Sequence, residues 1–276
     1  MRMTYDDLNI PQGKTRQFKI TCPLCSRARR KSEEKCLSVN TYKGVWYCHH
    51  CGKSGKIVNQ SSNGKETQMA KAISLEEWKP SNNELSDEFI KFFKDRGISK
   101  KTLDKNSIRM DNVYMPGFGN KVDASACPYI ENGKIVNVKY RDIEKNFTQM
   151  KGGKQILFGL DSIPSDEHTL IIVEGEFDKL ALDEVDITNS VSVPSGAPPP
   201  DSENLTNRFK YLRHHEKRLD QFEKFIIAVD NDAPGNKLGG ELARRIGYGK
   251  CYRIEYPKGC KDANDVLINH GKTKLR

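Results

Sequence analysis

The sequence contains no long hydrophobic run. No stretch of about eighteen consecutive apolar residues occurs in the chain, so we expect no membrane-spanning helix and no membrane partner. The N-terminal residues MRMTYDD also lack the apolar segment of a secretory signal, which predicts a cytoplasmic protein. Cysteines in such a compartment stay reduced, so a disulfide framework is not expected.

A complete phosphate-binding loop of the G-x-x-x-x-G-K-[ST] type is also missing. Gly271-Lys272-Thr273 comes nearest, but Val266 stands where that motif requires its first glycine. We therefore expect no ATP-driven motor in this chain. No repeat period is visible either, which argues against a solenoid.

The net positive charge is confined to one part of the chain. Between Gly13 and Lys56, eleven Lys and Arg residues oppose two acidic residues, and the rest of the sequence is balanced at 35 basic and 35 acidic residues. The whole net charge of +9 therefore belongs to an N-terminal module, which indicates a polyanionic partner such as nucleic acid. The alternative is a solvated basic surface that keeps the protein soluble.

Four of the eight cysteines form two C-x-x-C pairs in this basic module. Cys22 and Cys25 form the first pair, and Cys48 and Cys51 form the second. Two such pairs at this spacing predict one tetrahedral, structural Zn²⁺ site, with His49 or His50 as the less favoured replacement ligands. The other cysteines are interpreted as ordinary thiols: Cys36, Cys127, Cys251 and Cys260.

Composition and hydrophobic spacing divide the chain into segments. We predict a zinc-binding ribbon over residues 1–57, a polar linker over 58–84, an α+β subdomain over 85–165 and an α/β domain over 166–276. Ser86 and Ser99 are predicted helix caps, and Asn132-Gly133 predicts a hairpin turn. The last segment alternates strands at 170–173, 190–193, 225–229 and 250–254 with helices at about 178–185, 204–218 and 236–246. This alternation predicts a mostly parallel sheet with helices on both faces.

Two apolar runs in the last segment end abruptly in acidic residues. Glu174 follows the run Leu170 to Val173, and Asp230 and Asp232 follow the run that begins at Phe225. We predict that Glu174 and Asp230 are each the last residue of a strand. Because parallel strands bring their carboxyl ends to one edge of a sheet, these carboxylates should converge. Several carboxylates in one crevice repel each other unless a cation lies among them, which predicts a Mg²⁺ or Mn²⁺ site.

Further acidic residues near these strands have two interpretations. Asp178 is a candidate metal ligand or a helix cap, and Asp232 has the same alternative. Asp262 follows the last strand and is a candidate ligand at the same edge, whereas Asp265 is interpreted as a helix cap.

A predicted strand ahead of this edge carries basic residues. Lys139 and Arg141 share one face of that strand, and Lys145 and Lys154 lie in the glycine-containing loop that follows. Such a cationic face suits a triphosphate or a template backbone. The alternative is an ordinary solvent-exposed strand face.

The acidic motifs carry a family resemblance. Glu174-Gly175-Glu176-Phe177-Asp178 and Asp230-Asn231-Asp232 resemble the TOPRIM metal-binding fold shared by primases, topoisomerases and some nucleases. The run from Lys139 to Phe147 resembles the segment that precedes TOPRIM in bacteriophage T7-type primases. Val191 to Pro198 and Lys261 to Asn264 resemble the primase half of Twinkle-type primase–helicases. With the four-cysteine ribbon in front, the motifs cover nearly the whole chain in the same order.

This resemblance implies a DNA primase that starts RNA primers on single-stranded DNA from ribonucleoside triphosphates. Glu174, Asp230 and Asp232 would be catalytic, and the full metal set would add Asp178 and Asp262. Lys139, Arg141, Lys145 and Lys154 would bind nucleotide or template. The ribbon would recognise DNA through a set of basic and aromatic residues: Arg29, Arg30, Tyr42, Trp46, Tyr47 and His49. For Trp46 and Tyr47, packing against the zinc site is an equal alternative.

Two other functions are compatible with a zinc site next to TOPRIM. A RecR-type recombination mediator binds DNA without catalysis, and a TOPRIM nuclease uses the same metals to hydrolyse DNA. The resemblance also implies a replicative helicase as partner, on a separate chain or as a missing C-terminal domain, and a bacterial or phage-infected cell as the source. An organellar origin remains an alternative.

Overall fold

The chain forms two compact units, Met1–Gln68 and Met69–Arg276. This computed structural model describes residues 2–4, 7–8, 10, 17–26, 29, 31–41, 44–58, 70–82, 84–116, 119–203 and 205–276. The predicted linker covers residues 58–84, and of its part before residue 70 only Val58 is among the described residues. Among the described residues, no helix combines the length and the apolar character needed to cross a bilayer.

The first unit is a five-stranded sheet in the order β1-β5-β4-β3-β2. Its strands are β1 (Arg2–Thr4), β2 (Gln17–Ile20), β3 (Leu37–Asn40), β4 (Val45–Cys48) and β5 (Ser54–Val58). Side chains along β3 and β4 alternate between buried and accessible, as expected for a sheet with one face on a core. Leu37, Val39 and Trp46 form that core with the cysteine cluster. The predicted small β ribbon is confirmed.

The second unit begins with helices and an antiparallel sheet. Ser86 caps α1 (Asp87–Lys94) and Ser99 caps α2 (Lys100–Lys105), each accepting a hydrogen bond from a backbone N–H of the first turn. Both predicted caps are confirmed. The sheet has the order β10-β9-β8-β7, with β6 paired to β9. Its strands are β6 (Ile73–Ser74), β7 (Arg109–Met115), β8 (Asn120–Glu131), β9 (Lys134–Arg141) and β10 (Phe147–Gln149).

The turn between β8 and β9 is the predicted hairpin. Asn132 and Gly133 have φ angles of 53° and 71°, the left-handed region that a two-residue hairpin of this type requires. Asp161 accepts hydrogen bonds from both of their backbone N–H groups, at 2.8 and 3.0 Å. These bonds hold the hairpin turn against the short 3-10 helix Leu160–Ser162.

The rest of the second unit is a parallel sheet in the order β12-β11-β13-β14. Its strands are β11 (Thr169–Val173), β12 (Ser190–Ser192), β13 (Lys224–Ala228) and β14 (Cys251–Arg253). The helices are α3 (Glu176–Glu184), α4 (Lys210–His214), α5 (Glu216–Leu219), α6 (Ala233–Ile246), α7 (Ala263–His270) and α8 (Lys272–Leu275).

Alternate residues of β11 face opposite cores. Leu170 and Ile172 pack in the cluster that contains Leu238 and Leu242 of α6. Ile171 and Val173 pack in the cluster that contains residues of α3 and α7. Helices therefore cover both faces, and the predicted α/β class is confirmed.

The structure corrects three local predictions. The predicted helix 204–218 is two short helices, because His215, with φ −99° and ψ 12°, leaves the helical conformation between α4 and α5. Glu174 and Asp230 are not the last residues of their strands, because β11 ends at Val173 and β13 ends at Ala228. The residue that caps α7 is Asp262, and Asp265 lies in the first turn.

Candidate active site

Acidic residues that follow three of the parallel strands line one cavity. Because Val173 pairs with Ala228, the segments after β11 and β13 leave the sheet side by side. The cavity has a volume of about 550 Å³, and its acidic lining includes Glu174, Asp178, Asp230 and Asp262. Asp232 is exposed and does not line the cavity, although its charge acts on both Glu174 and Asp230.

Helix starts hold the aspartates in place. The Asp232 carboxylate accepts a hydrogen bond from Gly235 N at 2.8 Å and so caps α6. A Cβ at position 235 would lie 2.1 Å from the backbone oxygen of Asp230, so only glycine lets α6 begin this close to the end of β13. Asp262 caps α7 by accepting from Asp265 N at 2.7 Å. Asp232 and Asp262 are thus each fixed by the helix that follows them.

Burial and mutual repulsion disfavour the ionised carboxylates of the cavity. Burial raises the pKa of Glu174, and the charge of Asp230 raises it further. Burial also raises the pKa of Asp178 well above its ordinary value, with added repulsion from Asp262 and Asp230. The pKa of Asp230 is raised by burial, although Lys261 opposes this shift. A bound cation would remove these penalties.

One oxygen of Glu174 also indicates a bound cation. Its Oε1 accepts a hydrogen bond from Ala197 N at 3.1 Å, whereas Oε2 is buried and has no hydrogen-bond partner among the described residues. Buried carboxylate oxygens are rarely left without a donor or a cation. The oxygen-rich, negatively charged lining therefore fits a hard divalent ion such as Mg²⁺ or Mn²⁺.

Basic residues also line the cavity. Lys139, Arg141, Lys145 and Arg96 form its basic wall, and Lys261 lies beside the carboxylates. Lys139 Nζ donates to Glu176 Oε1 at 2.7 Å, and the hydroxyl of the fully buried Tyr129 donates to the same oxygen. Glu176 therefore fixes the ammonium group of Lys139 at the edge of the cavity.

Aromatic rings position the guanidinium of Arg141. It lies 4.0 Å from the centroid of the Phe177 ring, and Phe177 stacks on Phe93 at 5.2 Å. Burial lowers the pKa of Arg141, and its Nε has no hydrogen-bond partner among the described residues. The packing of α1 against α3 thus presents a cation with spare donor capacity, which suits a phosphate.

A short loop after β9 presents Lys145 to the cavity. Both side-chain oxygens of Asp142 accept hydrogen bonds from Asn146, from its backbone N at 2.8 Å and from its side-chain amide at 2.9 Å. Lys145 sits within this closed loop with φ 69°, a left-handed conformation that is uncommon for a lysine. Lys154, by contrast, lies away from the cavity and donates to Glu131 Oε2 at 2.8 Å.

The first unit contains the predicted cysteine cluster. The sulfur atoms of Cys22, Cys25, Cys48 and Cys51 all lie within 4.8 Å of one another. Cys25 Sγ is 3.8 Å from Cys48 Sγ, about the edge length of a tetrahedron of sulfurs around zinc. Burial raises the pKa of Cys48, but hydrogen bonds from the Cys51 and His50 backbones outweigh it and hold the pKa at about 6. The thiols therefore fit Zn²⁺.

Cys36, interpreted from the sequence as an ordinary thiol, lies beside this cluster. Its buried sulfur is 3.6 Å from Cys48 Sγ. It does not belong to the group of four sulfurs that lie within 4.8 Å of one another. Cys36 is therefore a neighbour of the four-cysteine cluster.

The residues predicted to recognise DNA have different environments. Tyr47 is 45% exposed and contacts the ring of His49, whose Nε2 lies 2.7 Å from Ser38 Oγ. Trp46 is only 2% exposed and packs in the core of the unit, which is the alternative interpretation of this residue. Arg29 is folded against Ser26 and Glu34. Arg30 and Tyr42 lie outside the described residues.

Comparison with known proteins identifies the family. A family model described as "Toprim-like" matches residues 171–267, from β11 into α7. The primase homolog protein of Arabidopsis thaliana is 35% identical to this chain over 296 residues, which cover 98% of this chain and 82% of the plant protein. The chain belongs to the TOPRIM primase family.

Two further relatives agree with this assignment. The chloroplastic/mitochondrial Twinkle homolog protein of A. thaliana is 33% identical over 293 residues, 98% of this chain but 39% of the plant protein. The crystal structure of the primase fragment of the bacteriophage T7 primase-helicase protein shares the fold, with a TM-score of 0.57 and 24% identity over 94% of this chain and 97% of that chain. The resemblance to T7-type and Twinkle-type primases is confirmed, and the mediator and nuclease alternatives are not favoured.

Three cavity residues of this family member are not predicted by the sequence. Lys261 and Glu176 belong to the acidic motifs, but the sequence favours the neighbouring carboxylates as ligands and gives these two residues no role. Arg96 carries no signal, because an arginine before Gly97 indicates only the end of a helix. It lines the cavity because its guanidinium stacks on Phe92, 3.8 Å from the ring centroid.

Proposed function

We propose that this chain is a DNA-dependent RNA primase that makes primers de novo on single-stranded DNA at the acidic cavity. Glu174, Asp230 and Asp232 would be its catalytic carboxylates, with Asp178 and Asp262 completing a site for Mg²⁺ or Mn²⁺. The observation that supports this most is the cavity itself, where buried carboxylates with raised pKa values share one lining with the basic wall. Nucleotidyl transfer needs both kinds of charge in one place.

Bound divalent ions would promote ionisation of the attacking 3′-hydroxyl and neutralise the leaving pyrophosphate. The chain's own residues would bind and orient the nucleotide. Lys139 and Arg141, each fixed by a buried partner, would hold the triphosphate opposite the carboxylates, and Lys145 would extend this wall. Lys154, which is paired with Glu131, has no place in this arrangement.

The first unit would hold one structural zinc ion and contact the template. Its core is small, so metal binding at the four cysteines would supply much of its folding free energy. The exposed Tyr47 ring is available to stack on a base, and the excess positive charge of this unit would attract the phosphate backbone.

We also propose partners and a cellular compartment for this chain. A single-stranded DNA template, ribonucleoside triphosphates and an RNA product are required by the reaction. The T7 protein is a primase-helicase, so we propose a replicative helicase as a partner of this chain. The Twinkle homolog is chloroplastic/mitochondrial, and a bacterial or phage-infected cytoplasm therefore stays a prediction.

One assay separates the three candidate functions. Single-stranded DNA is incubated with the protein, labelled ribonucleotides and Mg²⁺ or Mn²⁺. We expect new short RNA in the absence of any primer. Shortened DNA without RNA would instead indicate a nuclease, and a mobility shift without either product would indicate a recombination mediator.

A further inference from the structure

A third cluster of metal-ligating side chains lies in the second unit. Glu131, His214 and His215 each place a ligand atom within 4.8 Å of the other two. Glu131 ends β8 at the hairpin, and the two histidines stand at the end of α4. None of the three lines the acidic cavity, so this cluster is separate from the proposed active site.

The break between α4 and α5 creates the cluster. In a regular helix, consecutive side chains point about 100° apart, so neighbouring histidines would diverge. His215 leaves the helical conformation, and the rings of His214 and His215 lie edge to face with centroids 4.8 Å apart. Both rings therefore reach the same carboxylate.

The hydrogen bonds within the cluster are incomplete. His214 Nε2 is hydrogen-bonded to Glu131 Oε1. His215 Nε2 is buried and has no hydrogen-bond partner among the described residues. A buried imidazole nitrogen without a partner is unusual and calls for an explanation such as a bound ion.

The two oxygens of Glu131 have different partners. Lys154 Nζ donates to Oε2 at 2.8 Å, whereas Oε1 is the oxygen that contacts His214. One oxygen of the carboxylate is therefore directed at the histidines while the lysine holds the other.

We propose that Glu131, His214 and His215 bind a divalent transition-metal ion, with Zn²⁺ as the best fit. Two imidazoles and one carboxylate are an established zinc-binding set, whereas Mg²⁺ prefers oxygen ligands alone. Ligands at about 2.1 Å from zinc lie about 3.4 Å apart, so a small side-chain rotation brings the three atoms into position. His214 is 42% exposed, which leaves the site open to an entering ion and a water ligand.

The bound ion would join the hairpin to α4, across 83 positions of sequence. Its positive charge would compete with Lys154 for Glu131, so metal binding would also loosen the Lys154 contact. The ion would stabilise the packing of the hairpin against α4. Its binding does not depend on the proposed primase reaction.

The test is the zinc content of the 276-residue chain after dialysis against trace Zn²⁺ in excess Mg²⁺. We expect two zinc ions per chain in the wild type and one in the variant carrying both His214→Ala and His215→Ala. His168→Ala is the matched control, because His168 is an exposed histidine paired with Glu223, and it should keep two ions. Asp230→Asn should also keep two.

Two results would overturn the proposal. The first is a single zinc ion in the wild type. The second is a second ion that survives the double histidine variant or disappears in Asp230→Asn, since that ion would belong to another site. If the double variant does not fold by circular dichroism, Glu131→Gln replaces it, and unchanged zinc affinity in that variant counts against the site. X-ray absorption at the zinc edge should show nitrogen and oxygen ligands besides sulfur only when the histidines are present.

Discussion

Lys261 Nζ lies 2.9 Å from Asp230 Oδ2 and 3.5 Å from Asp262 Oδ2. The acidic cavity therefore contains its own counter-ion. Hydrogen bonding to Asp230, which outweighs burial, raises the pKa of Lys261, so the side chain is charged throughout the neutral range. Lys261 would stabilise the cavity before a metal ion binds and would have to release Asp230 when the ion arrives.

The first prediction concerns this lysine. Lys261→Met should lower the stability of the metal-free protein by about 1 kcal/mol, since the Lys261 side chain is more than half exposed and solvent weakens the pair. Mg²⁺ should then raise the melting temperature more in the variant than in the wild type, because only the metal ion now relieves the repulsion. Thermal unfolding with and without Mg²⁺ measures both effects.

The control for this experiment is Lys258→Met, at an exposed position nearby. It should respond to Mg²⁺ like the wild type. An equal rise in melting temperature for all three proteins would mean that Lys261 does not compete with a cation.

The second prediction separates two roles of Asp232. Asparagine caps helices as well as aspartate does, so Asp232→Asn should preserve the hydrogen bond to Gly235 N and the stability of α6. If Asp232 also serves the proposed metal site, RNA synthesis should fall by at least about tenfold. Asp166→Asn, on the exposed surface, is the control. Wild-type synthesis by Asp232→Asn would leave this residue with a capping role alone.

The acidic edge can be predicted from the sequence because its signal is local. A β-branched run followed by an acid identifies a buried parallel strand and its end, and the convergence of the strand ends follows from alternation with helices. Local pattern alone is therefore enough to predict that Glu174 and Asp230 lie at this edge of the sheet. The basic wall depends on long-range packing instead. Arg96 reaches the cavity only because α1 packs on α3, which no local pattern encodes.

Burial and long-range pairing account for the other differences between sequence and structure. Trp46 and Tyr47 are adjacent on β4 and have the same two interpretations, but strand alternation buries the first and exposes the second. Lys154 follows a glycine-containing loop that suggests phosphate binding. Its partner Glu131 is 23 positions away and cannot be paired with it from sequence alone. The His214–His215 cluster is not predicted, because a continuous helix has no break at that point.

The third prediction concerns the zinc centre. Cys48→Ser should unfold the first unit and leave the second unit folded, because Cys48 is one of the four clustered sulfurs and the core around them is small. Trp46 is buried in this core, so its fluorescence should shift to longer wavelength. Template-specific initiation should disappear while some extension of a supplied primer remains.

Cys260→Ser is the matched control, since Cys260 is a buried thiol in the second unit. It should leave the fluorescence and the initiation unchanged. Full template specificity in a zinc-free protein would contradict the proposed role of the first unit.

The fourth prediction is a pH dependence of stability. Burial by itself raises the pKa of Glu184, but hydrogen bonds from Lys272, Thr102 and Ser99 outweigh it and lower the pKa to about 2. The unfolded chain takes up this proton near pH 4.5, so the stabilisation is complete above about pH 5 and is lost as the pH falls towards 2. Glu184→Gln should therefore lower the free energy of unfolding by about 2 kcal/mol at pH 7.

Denaturant titrations at several pH values test this account. The difference between wild type and Glu184→Gln should narrow steadily as the pH falls from about 5 towards 3. Glu144→Gln, at an exposed position, should show no such difference. A gap that stays constant across this range would show that Glu184 stabilises the fold through packing and not through its charge.

The most direct measurement is primer synthesis by the wild type and by Glu174→Gln on single-stranded DNA with labelled ribonucleotides. The account predicts short RNA that depends on Mg²⁺ or Mn²⁺ in the wild type, and at least about a hundredfold less in the variant, with unchanged DNA affinity. RNA synthesis by Glu174→Gln at the wild-type rate would contradict the central claim that the carboxylates of this cavity catalyse the reaction.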